Sequence, residues 1–364
     1  MKISTITRHL ESISPLALQE DYDNCGLLLG DPEGESQKAL LCLDLTDEVM
    51  AEAVKNSCNL VIAHHPFIFR GLKKLTPAQP ETSIIVAAIQ HNIALYAIHT
   101  NLDNTLQGLN AFVLSKFGVK NMRILSPKAG LLSKLAVFCP IEHAGKVRQA
   151  IFDAGAGHIG NYDCCSFNLE GEGTFHASEE ANPFVGEINQ LHREKETRIE
   201  VIFPRFLENR IVSAMVAAHP YEEVAYDLYP LDNAMPHAGA GLIGELESPS
   251  DEVQFLGLVK KSLAIPVIRH SPLLGKLVKT VALCTGSGSF LSREAMAASA
   301  DVYLTADLKY HDFFGMEKRM LLADIGHYES EQGVKEWLYA TLIKKFPTFA
   351  FLISEVNTNP VHYF

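Results

Sequence analysis

Three short segments carry the residue types that do metal or acid–base chemistry. They are His64-His65-Pro66, His99-Thr100-Asn101-Leu102-Asp103 and Gly326-His327-Tyr328-Glu329-Ser330-Glu331. Each follows an apolar run, at 59–63, 93–98 and 320–325. Such runs read as strands, and in an open α/β sheet chemistry collects outside the carboxyl ends of strands. Imidazole with carboxylate and no thiolate suits zinc, iron, manganese or cobalt, and ligand softness does not choose among them. Three clusters of one chemistry at three strand ends point to a metal site assembled across the whole chain.

Spacing refines this. Neighbours in an extended segment point to opposite sides, so His64 and His65 would serve two adjacent ions, or one ion and one supporting contact. His327 and Glu331 stand at i and i+4, which share a face if Gly326 precedes a helix start. Asp103 and Glu331 each offer oxygens able to bridge two ions, as in dinuclear hydrolytic sites. Every piece also has a plainer reading. Asp103 could cap a helix in competition with Asn104, whose Gln107 lies at capping-box distance. His327 and Glu331 could be an exposed helical pair, His99 a satisfied core residue and His311 a surface one. Thr285-Gly286-Ser287-Gly288, between a strand and a helix, could cradle an anion on backbone N–H groups or simply be a tight turn.

The elements that must position these residues follow from hydrophobic pattern. Over the first 120 or so residues, strand patterns ending at Asp44, His64 and His99 alternate with helical ones, the first helix capped by Thr46. The last 90 repeat the rhythm, with strands over 280–284, 301–305, 320–325 and 348–354. This is βαβ punctuation, implying a mostly parallel sheet, with the two chain ends as halves of one α/β domain. The middle, roughly 128–233, reads as strand, helix, hairpin (162–175), strand, helix and strand, which suggests a ferredoxin-like insert.

Composition sets the limits. A chain of 364 residues, 47% hydrophobic and 20% charged, can bury a large core and hold two domains. A formal charge of −12 argues against electrostatic capture of nucleic acid or an anionic membrane. No run approaches a membrane span, and the amino-terminal residues lack a signal-peptide apolar block. The seven cysteines form no CxxC pair, so reduced thiols in a cytoplasmic protein are expected.

Together the motifs resemble the Nif-three-like family (NGG-interacting factor three), the GTP cyclohydrolase I type two homologues. The resemblance rests on Asp23-Asn24-Cys25-Gly26-Leu27, the three clusters above, Gly286-Ser287-Gly288 and Tyr310-His311, in family order. In the middle it rests on 155–162, Gly171-Glu172-Gly173-Thr174-Phe175 and His219-Pro220-Tyr221-Glu222-Glu223, as in the longer bacterial members. It implies a three-layer α/β/α main domain over 1–127 and 236–364, with a PII-like insert over 128–235. It also implies two divalent ions per subunit on His64, His65, Asp103, His327 and Glu331, zinc first and iron, manganese or cobalt as alternatives. A ring-shaped homohexamer with its metal sites facing a cavity is implied too. One departure stands out. Thr305-Ala306-Asp307 has alanine where the family pattern has glycine, a strain if that position needs positive φ.

Two functions follow. One is a metal-dependent hydrolase of a small nucleotide-like or phosphorylated substrate, with metal-activated water as nucleophile, His99 or His311 moving protons and the Gly286 loop holding phosphate. The other is a non-catalytic metal-binding regulatory or metal-handling assembly. An open coordination position separates them, because structural sites are closed.

Overall fold

Leu60–Ala63, the strand that delivers His64, is buried at every position. A strand covered on both faces has this pattern. It is the middle strand of a five-stranded sheet in the order Gly26–Leu29, Ala94–Ala97, Leu60–Ala63, Lys38–Cys42, Ala350–Ile353. All neighbours in it run parallel except Gly26–Leu29, which is antiparallel to Ala94–Ala97. Side chains alternate between two cores. Ala39, Leu41, Leu60 and Ile62 enter one, and Leu40, Cys42, Val61 and Ala63 the other. The second core is closed by helices Asp47–Lys55 and Pro80–Gln90. Thr46 caps the first of these, its hydroxyl accepting from the Val49 N–H at 3.3 Å.

This computed structural model describes residues 1–77, 80–316 and 318–364. The described residues form two compact units, one of Met1–Pro127 with His237–Phe364 and one of Lys128–Pro236. In the first unit the two halves of the chain do not complete one sheet, as their rhythm suggests; they build two. The second has six strands in the order Arg269–His270, Leu321–Asp324, Val302–Ala306, Leu277–Ser287, Gly239–Asp251, Val119–Pro127. Leu277–Ser287, Val302–Ala306 and Leu321–Asp324 pair in parallel and the remaining strands pair antiparallel. The mixed α/β class therefore holds, but three layers do not describe it. Helices Ile3–Ile13, Leu109–Lys116, Glu252–Ser262 and Val334–Lys345 share a single core with one face of each sheet. The reason lies in the long antiparallel partners, Val119–Pro127 and Gly239–Asp251, which extend the second sheet, while Ala350–Ile353 returns to the first.

The other unit runs strand, helix, strand, strand, helix, strand, the order of a ferredoxin-like arrangement. Its antiparallel sheet is ordered Phe167–His176, Leu191–Pro204, Leu132–Pro140, Tyr226–Leu231. The hairpin expected over 162–175 is one strand, and its partner lies beyond a loop that contains Pro183 and Gly186. Helices Ile141–Asp153 and Glu208–Ala218 cover one face through Val137, Val147, Ile199, Val201, Ile211 and Met215.

Asn110, fully buried, ties the two sheets together: its Nδ2 donates to the Asp103 carbonyl at 3.0 Å and its Oδ1 accepts from the Thr285 N–H at 2.9 Å. Asn110→Leu would leave two buried backbone groups unpaired. We expect urea denaturation to show a loss of about 2–4 kcal/mol for this variant.

Candidate metal centre

The chain bends after Ala63, so His64 and His65 do not diverge as an extended pair would; their ring centroids are 5.1 Å apart. His64 is fully buried and its Nδ1 donates to the Ile98 carbonyl at 2.7 Å. A carbonyl only accepts, so Nδ1 carries the proton and Nε2 the lone pair. Burial, above all, pushes this imidazole down to about 3. Its Nε2 faces the Asp103 Oδ1 at 3.8 Å, too far for a hydrogen bond, and both atoms are buried with no hydrogen-bond partner among the described residues. Buried polar atoms left in this state are costly, and a cation between them would satisfy both.

His65 and His327 converge on Glu331. Their Nε2 atoms stand 3.0 and 3.1 Å from its Oε2, and their Nδ1 atoms contact Asp44 and Asp307, each at 2.7 Å. Burial lowers His65, but Asp44 and Glu331 outweigh it and carry it up to about 10. The Glu331 carboxylate beside it does most to raise His327, to about 9. For Glu331, burial is overcome by the two imidazoles, which hold its carboxyl well below the usual range. Asp103 goes the other way, raised first by burial and then by the charge of Glu331. The two acids are thus pushed apart, Glu331 toward its anion and Asp103 away from it.

Among the described residues, three groupings bring ligand atoms within 4.8 Å of one another: His64, Asp103 and Glu331; His65, His327 and Glu331; and His64, His65 and His99. Glu331 belongs to two of them, as a bridging carboxylate would. His99 comes from the catalytic candidates, yet it stands with the ligands. Its Nδ1 lies 3.0 Å from the Asp23 Oδ1, and its ring centroid is 5.3 Å from His64 and 5.2 Å from His65. His311, the other catalytic candidate, is exposed on the turn Tyr310–Phe314. It packs against Tyr310 at 5.2 Å and Phe314 at 6.1 Å, outside every grouping.

Three positioning acids escaped the sequence reading. Asp44, Asp307 and Asp23 hold the Nδ1 atoms of His65, His327 and His99, which leaves each Nε2 to the cluster. Asp23 also accepts from the Thr100 hydroxyl, and these bonds overcome burial to keep its carboxyl below the usual range. A signal existed for each, since Asp44 and Asp307 also follow strand ends and Asp23 opens the motif Asp23-Asn24-Cys25-Gly26-Leu27. The pairings themselves, 20 to 76 residues apart, had none. The alanine departure is harmless. Ala306 ends a strand, and the positive φ of 55° falls on Asp307, a residue type that tolerates it.

Thr285-Gly286 is neither a tight turn nor an anion cradle, but the irregular end of the strand Leu277–Ser287. Its N–H groups are engaged by the Asn110 Oδ1 at 2.9 Å and the Ser330 Oγ at 3.0 Å. Gly286, at φ +61°, is required because a Cβ there would strike the Glu331 carboxylate and stand 3.3 Å from the His327 Nε2. Gly326, at φ +79°, makes the turn into the helix His327–Glu331, as the spacing predicts. Beyond Ile353 the chain returns to the site, where the Thr358 hydroxyl donates to the Asp44 Oδ2 at 2.6 Å.

The sequence profile of Duf34/NIF3 (NGG1p interacting factor 3) matches residues 1–360. The chain belongs to this family. It is 38% identical to the GTP cyclohydrolase 1 type 2 homolog of Halalkalibacterium halodurans, covering 99% of both chains. It is 37% identical to that of Bacillus subtilis, covering 98% of this chain and 96% of the other. Among solved structures, a Bacillus cereus protein related to NIF3 superposes with a TM-score of 0.85 at 38% identity, over 100% of this chain and 99% of that one. No helix among the described residues of this Duf34/NIF3 protein is long and apolar enough to cross a membrane.

Two predictions follow from the geometry. Gly286→Ala places a Cβ in the Glu331 carboxylate at a left-handed position, so urea denaturation of the metal-free protein is expected to show a loss of about 1–3 kcal/mol. In the metal-free protein His64 stays neutral from pH 8 to 5, since its pKa is near 3, and His65 stays doubly protonated, since its pKa is near 10. Nitrogen-15 NMR of the histidine rings reads both. On folding, His64 therefore stabilises the protein above the unfolded value of about 6.5 and loses that contribution as pH falls toward 3.

Proposed function

We propose that this Duf34/NIF3 chain is a divalent-metal-dependent hydrolase of a small nucleotide-like or phosphorylated substrate, akin to the GTP cyclohydrolase its relatives are named for. The observation that carries this reading is the buried, partnerless pair His64 Nε2 and Asp103 Oδ1, set beside an acid shared by two imidazoles. His64, His65, Asp103, His327 and Glu331 would hold two ions, zinc first and iron, manganese or cobalt as alternatives. Bound there, such ions supply Lewis-acid activation of water at neutral pH and offset charge that develops during attack.

The chain's own residues do the rest. Asp44, Asp307 and the Ile98 carbonyl fix the His65, His327 and His64 rings with Nε2 toward the cluster, where each would ligate an ion once the Nε2 protons of His65 and His327 are released on metal binding. His99 accepts a proton at Nε2, and Asp23 stabilises the resulting imidazolium through Nδ1. Phe69, 49% exposed and edge-on to His99 at 6.2 Å, offers a flat apolar face for a substrate ring. His311 has no part in this scheme. From the family resemblance, the reading extends to a cytoplasmic homohexamer with a PII-like insert.

One observation favours the alternative of a metal-handling assembly. With His99 the cluster offers six donors, more than the five of the ligand set, and fewer coordination positions stay open.

Metal content by plasma mass spectrometry and turnover of GTP and of a phosphate monoester, measured on the same preparations, test the proposal. We expect about two ions per chain in the parent, a sharp fall in Asp103→Ala, and turnover lost with the metal. His99→Asn is expected to keep at least one ion per chain but lose about 10²–10⁴-fold in kcat. A parent that stays empty after reloading would end both readings; a loaded parent without turnover of any such substrate would leave metal handling.

A further inference from the structure

The face of the four-stranded sheet opposite helices Ile141–Asp153 and Glu208–Ala218 carries a cavity of about 970 Å³, entirely within the unit Lys128–Pro236. Its volume is at the upper end of small-ligand sites. Gly171 and Gly173 leave part of its wall bare. A Cβ at Gly171 would meet nothing within 4 Å, and one at Gly173 would strike the Glu196 carboxylate.

Two features of the lining point to one ligand chemistry. The first is aromatic. Phe175 and Phe184 each have their ring centroid 6.3 Å from that of Tyr221, at interplanar angles of 62° and 51°, so three rings form a corner rather than a stack. Ring faces turned toward a common space attract cations through their quadrupoles. The second is charge. Glu170, Glu172, Glu180, Glu196, Glu222 and Glu223 line the cavity, against Arg198 as its one Lys or Arg. Arg198 is already committed, paired with Glu200 at 2.9 Å and set over the Phe138 ring. Of the glutamates, Glu172 is neutralised by Arg193 at 2.7 Å. Glu196 and Glu222 are held in place by neutral donors instead, the Tyr221 hydroxyl at 2.9 Å and the Asn182 N–H at 2.8 Å, and have no cationic partner among the described residues. Burial first, and Glu196 second, push Tyr221 upward, so its hydroxyl stays a donor to that acid at neutral pH.

From this juxtaposition we infer that the inserted unit binds an organic polyammonium ion, its ammonium groups on Glu196 and Glu222 and its alkyl spacers against Phe175, Phe184 and Tyr221. A hydrated metal ion would use the carboxylates and leave the aromatic corner idle. An anionic ligand would face uncompensated glutamates. The lining draws on residues of the inserted unit alone, and the inference stands or falls without the hydrolase reading.

Isothermal titration of the full chain with spermidine tests it. Glu196→Gln and Phe184→Ala remove one feature each at half-buried and exposed positions, where folding should survive. Glu247→Gln removes an exposed acid in the other unit and controls for diffuse attraction to a chain of charge −12. We expect saturable binding, weakened at least tenfold in each of the first two variants and unchanged in Glu247→Gln and in metal-depleted Asp103→Ala. Equal affinity in every variant, absence of saturation, or full competition by magnesium at matched ionic strength would each overturn the inference.

Discussion

A nearly fully buried carboxylate, Glu331, is the constraint on which the metal-centre unit depends. Its side chain is 3% exposed, and an isolated carboxylate in such a place would be neutral or would not be there. It survives because two imidazoles meet one of its oxygens and the strands ending at Ala63 and Asp324 bring them there. Each imidazole is braced in turn by an acid, Asp44 or Asp307, so charge alternates outward from the buried centre. Removing one partner of such a network costs far more than a surface ion pair is worth, because the remaining charge stays buried.

That network explains features that look unrelated. Gly286 has no side chain because the Glu331 carboxylate occupies the space of its Cβ. Asp307 adopts a left-handed conformation and so reaches the His327 Nδ1. Thr358, in an irregular tail, contacts Asp44. Asn110 links the Asp103 carbonyl, which follows a strand of one sheet, to the Thr285 N–H in a strand of the other. Each is a local accommodation to a centre assembled from both halves of the unit.

The inserted unit follows different physics. Its helices cover one sheet face with an apolar core, while the opposite face keeps glutamates, aromatic rings and bare glycine backbone around a cavity. Sheets of this kind commonly alternate apolar and polar along each strand. Here the alternation along Leu191–Pro204 sends Ile199 and Val201 inward and Glu196 and Arg198 to the cavity.

Much of this was legible in the amino-acid sequence. Continuous apolar runs located the strands that deliver His64, His99 and His327, and the i, i+4 spacing behind Gly326 put His327 and Glu331 on one helical turn, because these are local consequences of burial and backbone geometry. The division of the first unit into two sheets was not legible, since strand pairing depends on which edges meet, and apolar pattern does not encode that. Nor were the partners of the imidazoles. That His99 stands among the ligands while His311 packs on Tyr310 and Phe314, and that Asp44, Asp307 and Asp23 each aim a ring, depends on distances between residues far apart in the chain. The sequence by itself determined which residue types could do chemistry and at which strand ends they stand. Only the tertiary structure decided which of them share a buried space, because the cost of burying charge is settled by neighbours in space, not in sequence.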